Sequence, residues 1–162
     1  PIANPSYMVN GWSFGIRPEV LQKNVNKAKK QGAEIVVLLS HNGFDVDQKL
    51  ASMIDGIDVI LTGHTHDAIP KGIRIKDTLL LSSGSHGKYL GRIDLKVKNG
   101  KVVDTSSNLI PVFSDIIPPD PDMTKLINKI RAPYQSECNR VIGETETPTR
   151  TKLDGYEVAF KA

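Results

Sequence analysis

The chain has 162 residues, 39% hydrophobic and 24% charged, enough for one domain with its own core and too apolar for disorder along its whole length. Its one cysteine, Cys138, excludes an internal disulfide framework and a cysteine-built zinc ribbon. The formal charge of +3 comes without a basic recognition element, and the longest apolar run, Ile35 to Leu39, is far short of a membrane span. Neither nucleic acid nor membrane is therefore expected as a partner.

In chain order, residues 1–17 read as irregular, with Asn4-Pro5, Asn10-Gly11 and Gly15 as turn signals. Pro18 suits the first turn of a helix that carries the stripe Val20, Leu21, Val25 and Ala28 and stops at Gly32. Lys23, Lys27, Lys29 and Lys30 lie mostly opposite that stripe, as a solvated face. Glu34 to Ser40 has the unalternating apolar character of a buried parallel strand. Val46, Leu50, Met53 and Ile54 mark a short helix ending near Gly56, and Ile57 to Thr62 is a second buried strand. This alternation predicts a parallel α/β layer.

After Pro70 the pattern becomes one of short strands: Ile73 to Ile75, Thr78 to Ser82, Leu90 to Val97, then the Asn99-Gly100 hairpin turn and Lys101 to Asp104. This half reads as an antiparallel extension of the sheet. Pro118-Pro119-Asp120-Pro121 is a stop signal, and Met123, Leu126, Ile127, Ile130 and Tyr134 mark an amphipathic helix that Pro133 should kink. Cys138 is expected to pack partly buried.

All four histidines lie between positions 41 and 86. His41 follows the first buried strand and His64 the second, and ligands collect at the carboxyl ends of strands in α/β sheets. If the strands are neighbours, roughly 5 Å apart, both imidazoles reach one point. His64 and His66, in an extended loop, would project to the same side roughly 6 to 7 Å apart. That spacing suits two metals about 3.5 to 4 Å apart, with one imidazole to each. Gly43 and Gly63 permit close backbone approach beside these histidines. Asp67 is placed to orient a ligand imidazole, and His86 reads as polar lining. A single histidine at a strand end is commonly a hydrogen-bonded surface residue. Three of them at two successive ends favour a site and the bland reading equally.

Other chemistries fail on placement. Ser40 and His41 point to opposite faces of a strand. Gly84-Ser85-His86-Gly87 is not a nucleophile elbow, and no phosphate-binding glycine loop occurs. Asp45 and Asp47 read as a helix cap and first-turn charges.

Ser40-His41-Asn42-Gly43 followed by Gly63-His64-Thr65-His66 resembles the last two motifs of calcineurin-like metallophosphoesterases, in particular the 5'-nucleotidase branch. Lys88 to Leu95 looks like the strand that closes that catalytic domain. Asn4 to Tyr7, Trp12 to Ile16, Phe44 to Asp47 after the histidine motif, and Arg131 to Tyr134 narrow the resemblance to the SoxB thiosulfohydrolases of bacterial sulfur oxidation. It covers roughly residues 1–148.

The resemblance implies an α/β fold, the C-terminal part of a metallophosphoesterase β-sandwich flanked by helices. The catalytic portion would span residues 1–117, a linker helix residues 118–140, and a second domain or unmatched tail residues 141–162. It implies two divalent ions, manganese in this family, one held by His41 and His64 and the other by His66. Asn42, Gly43, Gly63, Asp67 and His86 would line or support the pocket. Such a metal pair polarises the oxygens of a bound anion and acidifies a water.

The implied reaction releases sulfate from a cysteine S-thiosulfonate on the sulfur carrier SoxYZ, in the periplasm. The family's carboxylate motifs, D-x-H, G-D-x-x and G-N-H-[DE], do not occur in this sequence, so a fragment carrying half a dimetal site, inactive alone, is expected. The alternatives are a periplasmic 5'-nucleotidase or cyclic-nucleotide phosphodiesterase, and a non-catalytic interaction module that keeps a metal-site remnant.

Overall fold

A computed structural model describes residues 5–144, 150–153 and 156–159. Asn4 of the first turn signal and parts of the expected tail 141–162 lie outside them. After a 3-10 turn at Ser6–Val9, helix α1 spans Pro18–Lys30, strand β1 Val37–Ser40, helix α2 Phe44–Met53 and strand β2 Val59–Thr62. Pro18 stands at the first turn of α1 and Gly32 takes a φ of 95° just beyond its end, the expected start and stop.

β3 (Ile73–Ile75) and β4 (Thr78–Ser82) complete a four-stranded sheet in the order β1-β2-β4-β3. The mixed α/β class matches expectation. One detail of topology does not: β4 pairs parallel with β2, Ile60 beside Leu80, and only β3 runs antiparallel. The sequence 78–82 is buried at every position, as a central parallel strand requires. The expected antiparallel extension is thus confined to β3 within this sheet.

The register sorts the sheet's two faces. Leu38, Ile60 and Leu80 stand side by side, and Ile60 and Leu80 join Val25 of α1 with Leu50, Ala51 and Ile54 of α2 in the core. On the opposite face run Val37, Val59 and Leu79, and beside them Leu39, Leu61 and Leu81. Here exposure rises steeply toward β1: Leu81 is 3% exposed and Leu39 82%, while Val59 is 1% exposed and Val37 52%. β1 is therefore an edge strand, not the buried strand its composition suggests.

A two-stranded hairpin covers the other end of that face. β5 (Tyr89–Lys98) and β6 (Lys101–Pro111) join at Asn99 and Gly100, both with positive φ, the two-residue turn the sequence signals. A Cβ on Gly91 would collide with Ser83 and crowd Leu81, so the hairpin backbone lies directly on β4. β6 runs seven residues past Asp104, pairing to Pro111 opposite Tyr89. Its polar stretch is accommodated because Ser107 Oγ accepts from the Gly72 amide at 2.9 Å and Thr105 Oγ1 from Arg74 at 3.0 Å.

Lys29 is only partly solvated: its ammonium donates to the Glu34 carbonyl at 2.7 Å and pairs with Asp58 at 3.3 Å. The Asp58 carboxylate also accepts from the Val36 amide at 2.8 Å.

Helix α3 spans Pro121–Arg131, with Asp120 capping it by accepting from the Met123 amide at 2.8 Å. Pro133 ends it in a 3-10 turn before the short α4, Gln135–Cys138. The α3 stripe Met123, Leu126, Ile127 and Ile130 is exposed. Cys138 is exposed too, contrary to expectation, since α4 packs on no core element. β7 (Arg150–Leu153) and β8 (Tyr156–Ala159) pair antiparallel. No helix among the described residues is long and apolar enough to cross a membrane.

Leu80 is fully buried between α2 and the sheet. Leu80→Ala should lower the unfolding free energy by about 2–5 kcal/mol, read by urea denaturation. An unchanged midpoint would mean this core does not hold the fold.

Candidate metal centre

Three parallel strands end side by side, and every histidine lies just beyond one of those ends. His41 follows β1, His64 and His66 follow β2, and His86 follows β4. The His41 and His64 ring centroids are 5.2 Å apart at an interplanar angle of 71°. Two imidazoles sharing one ion, with bonds of about 2.0–2.1 Å, have centroids roughly 5 to 6 Å apart. The pair thus has the spacing anticipated for neighbouring strands.

The loop after β2 is not extended. His64 has a φ of 84° and His66 of 61°, so the backbone curls and the same-side projection argument does not apply. His66 approaches His86 instead, with centroids 5.6 Å apart. Among non-glycine described residues, positive φ occurs at His64, His66, His86, Lys76 and Asn99. The last two sit in the β3–β4 and β5–β6 turns. The remaining three are histidines of one cluster, and backbone strain held in this way marks functional sites.

Gly43 and Gly63 both stand close against the histidines. Gly43 has a φ of 99°, and a Cβ there would stand 3.1 Å from Thr65 Cγ2 and 3.5 Å from the His64 ring. A Cβ on Gly63 would stand 3.1 Å from His41 Nδ1. Asp67 meets its neighbours through its backbone carbonyl, which accepts from the Gly84 amide at 2.8 Å and from Ser82 Oγ.

The group that organises the strand ends is Asp47. Read as a first-turn charge, it is 0% exposed. Its carboxylate accepts from Ser40 Oγ at 2.7 Å, from Thr62 Oγ1, and more weakly from Asn42 Nδ2 at 3.4 Å. It ties the last residues of β1 and β2 together, immediately before His41 and Gly63-His64. Nothing in a helix-start pattern distinguishes a solvated aspartate from this one. The one available signal is a hydroxyl residue at the end of each strand. A cavity of about 310 Å³ lies beside the site between Gly15–Arg17 and Leu38–Asn42, so that Gly15 and Ile16 share its wall with His41.

Neutral imidazoles are suitable donors for a borderline divalent ion. Their number is the restriction: no group of three or more His, Cys, Asp or Glu among the described residues could hold a metal ion. In donor type and in the spacing of their rings the histidines suit a metal, but they come together only two at a time.

No protein-family profile matches the chain. In structure it is similar to the sulfate thiohydrolase SoxB of Thermus thermophilus, with 38% identity and a TM-score of 0.79 over 83% of this chain and 25% of that one. Among curated relatives it is 37% identical to the uncharacterized metallophosphoesterase YunD of Bacillus subtilis over 93 residues, 57% of this chain and 20% of that protein. It is 27% identical to the snake venom 5'-nucleotidase of Crotalus adamanteus over 146 residues, 78% of this chain and 25% of that protein. The chain is of the 5'-nucleotidase/SoxB type of metallophosphoesterase. It spans a fifth to a quarter of the length of these matches, whose names are those of hydrolases. Divalent metal ions are implied by that type.

Asp47→Ala would leave the Thr62 and Ser40 hydroxyls without their acceptor. It should cost roughly 1–3 kcal/mol and displace the His41 and His64 ring resonances, with Asp47→Asn milder because it keeps an acceptor oxygen. Unchanged melting temperature and ring resonances would refute the clamp.

Proposed function

We propose that this chain carries the imidazole-bearing portion of a dimetal sulfohydrolase that releases sulfate from a cysteine S-thiosulfonate on a sulfur carrier protein of the SoxYZ type. The observation that carries this reading is the contrast in similarity. Identity is 38% with SoxB over 83% of the chain, against 27% with the venom 5'-nucleotidase over 78%. The segment most particular to the SoxB resemblance, Trp12 to Ile16, reaches the cavity wall beside His41 through Gly15 and Ile16.

In this reading His41 and His64 hold one divalent ion and His66 the other, with manganese as the pair and the periplasm as the compartment. Asn42 and the Gly43 and Gly63 backbone shape the pocket edge, and Asp67 and His86 support it. Residues 1–117 form the catalytic portion and 118–140 a linking helix. The carboxylate ligands come from polypeptide bearing the D-x-H, G-D-x-x and G-N-H-[DE] motifs. What this chain contributes is orientation: strained loops and a buried carboxylate set its imidazoles before any metal arrives, so less ordering is needed at binding.

A second reading, hydrolysis of a 5'-nucleotide at the same centre, is favoured by the 5'-nucleotidase relative. Assays on two proteins separate them. The 162-residue chain alone should release neither sulfate from the carrier-bound thiosulfonate nor phosphate from AMP. Joined to a segment bearing the three carboxylate motifs, it should release sulfate faster than phosphate. Faster phosphate release would favour the nucleotidase, and turnover by the chain alone would overturn the half-site.

A further inference from the structure

Four imidazoles line the carboxyl edge of this sheet, and they fall into two matched pairs. His41 and His64 meet at 5.2 Å and 71°. His66 and His86 meet at 5.6 Å and 75°. The strand order β1-β2-β4 puts the second pair one strand further along the same edge. The dimetal reading gives a cation two imidazoles on one side and a single imidazole on the other.

His86 has the features of a residue built into a site. Its φ is 59°, in the left-handed region, between Gly84 at 73° and Gly87 at 67°. Three such residues in four positions form a tight loop after β4 that turns back toward the loop after β2. The Gly84 amide donates to the Asp67 carbonyl at 2.8 Å, locking the two loops one residue from His66. The ring itself is oriented: Nδ1 lies 2.8 Å from Ser85 Oγ. An ordinary loop histidine needs neither a left-handed backbone nor a second histidine in the same conformation beside it, at 61°.

We propose that His86 is a cation-binding residue that shares one borderline divalent ion with His66, so that the chain presents two imidazoles to each of two ions. The inference rests on the dimetal reading above and adds a ligand to it. Ser85 acts as a positioning residue, holding the His86 imidazole through Nδ1.

The test is a titration of the 162-residue chain with diamagnetic zinc as the divalent probe, read by the shifts of the imidazole nitrogens, which move on direct coordination, each assigned from a single histidine variant. The His66 and His86 nitrogens should shift together with one apparent dissociation constant. His86→Asn keeps the left-handed backbone, which asparagine tolerates, and removes the imidazole. It should weaken the His66 response roughly 10- to 100-fold and leave the His41 and His64 response unchanged. His86→Ala serves as a second variant, with circular dichroism confirming that both fold.

His86 nitrogens that do not shift while those of His66 do would overturn the proposal, as would an unchanged His66 response in His86→Asn. In those outcomes a His41 and His64 response leaves the dimetal reading standing. Silence at all four histidines overturns both.

Discussion

The site depends on one buried carboxylate. Asp47 leaves water entirely on entering the first turn of α2, and such a transfer is costly unless the group is fully hydrogen-bonded. Its donors are the hydroxyls that end β1 and β2, with an asparagine amide between them. Satisfying Asp47 therefore fixes the two strand ends relative to each other and to the helix. His41 and His64 follow these anchored residues by one and two positions. Asp58 does related work at the opposite end of the sheet, joining the Lys29 ammonium to the Val36 amide. The parallel strands are held at both ends by carboxylates, and only the carboxyl edge bears imidazoles.

The loops at that edge hold little slack. Gly43 and Gly63 sit so close to His64 and His41 that a single methyl at either would press on the neighbouring residues or ring. His64, His66 and His86 occupy backbone of positive φ, which non-glycine residues among the described residues otherwise adopt only in the turns at Lys76 and Asn99. These features oppose easy folding of the loops and persist because surrounding hydrogen bonds and packing over-determine them. The imidazoles are consequently set apart in two pairs at spacings that two ligands of one ion have.

Much of this was legible in the sequence, and for identifiable reasons. The stripes in α1, α2 and α3 are true helical faces, and Asn99-Gly100 dictates its turn through backbone sterics alone. Strand-end histidines could be placed because buried runs such as Val59–Thr62 admit one interpretation. The parallel pairing of β4 escaped because Thr78–Ser82 is too short to show direction, which long-range register decides. Asp47 escaped because burial of a polar residue is a tertiary property. The exposure of Leu39 and Cys138 escaped likewise, since composition reports what a residue prefers and not what covers it.

That uncovered surface agrees with the chain's share of its relatives. One sheet face is sealed by the hairpin at β4 and bare at β1, the α3 stripe has no cover among the described residues, and each imidazole pair offers two donors where an ion takes four or more. These properties agree with the proposed reading, in which the carboxylate ligands come from other polypeptide. The most direct test is a crystal of the chain soaked in manganese, with anomalous difference maps. The account predicts one peak within bonding distance of His41 and His64 and a second, about 3.5 to 4 Å away, beside His66. Peaks elsewhere, with none within reach of these three imidazoles, would contradict it.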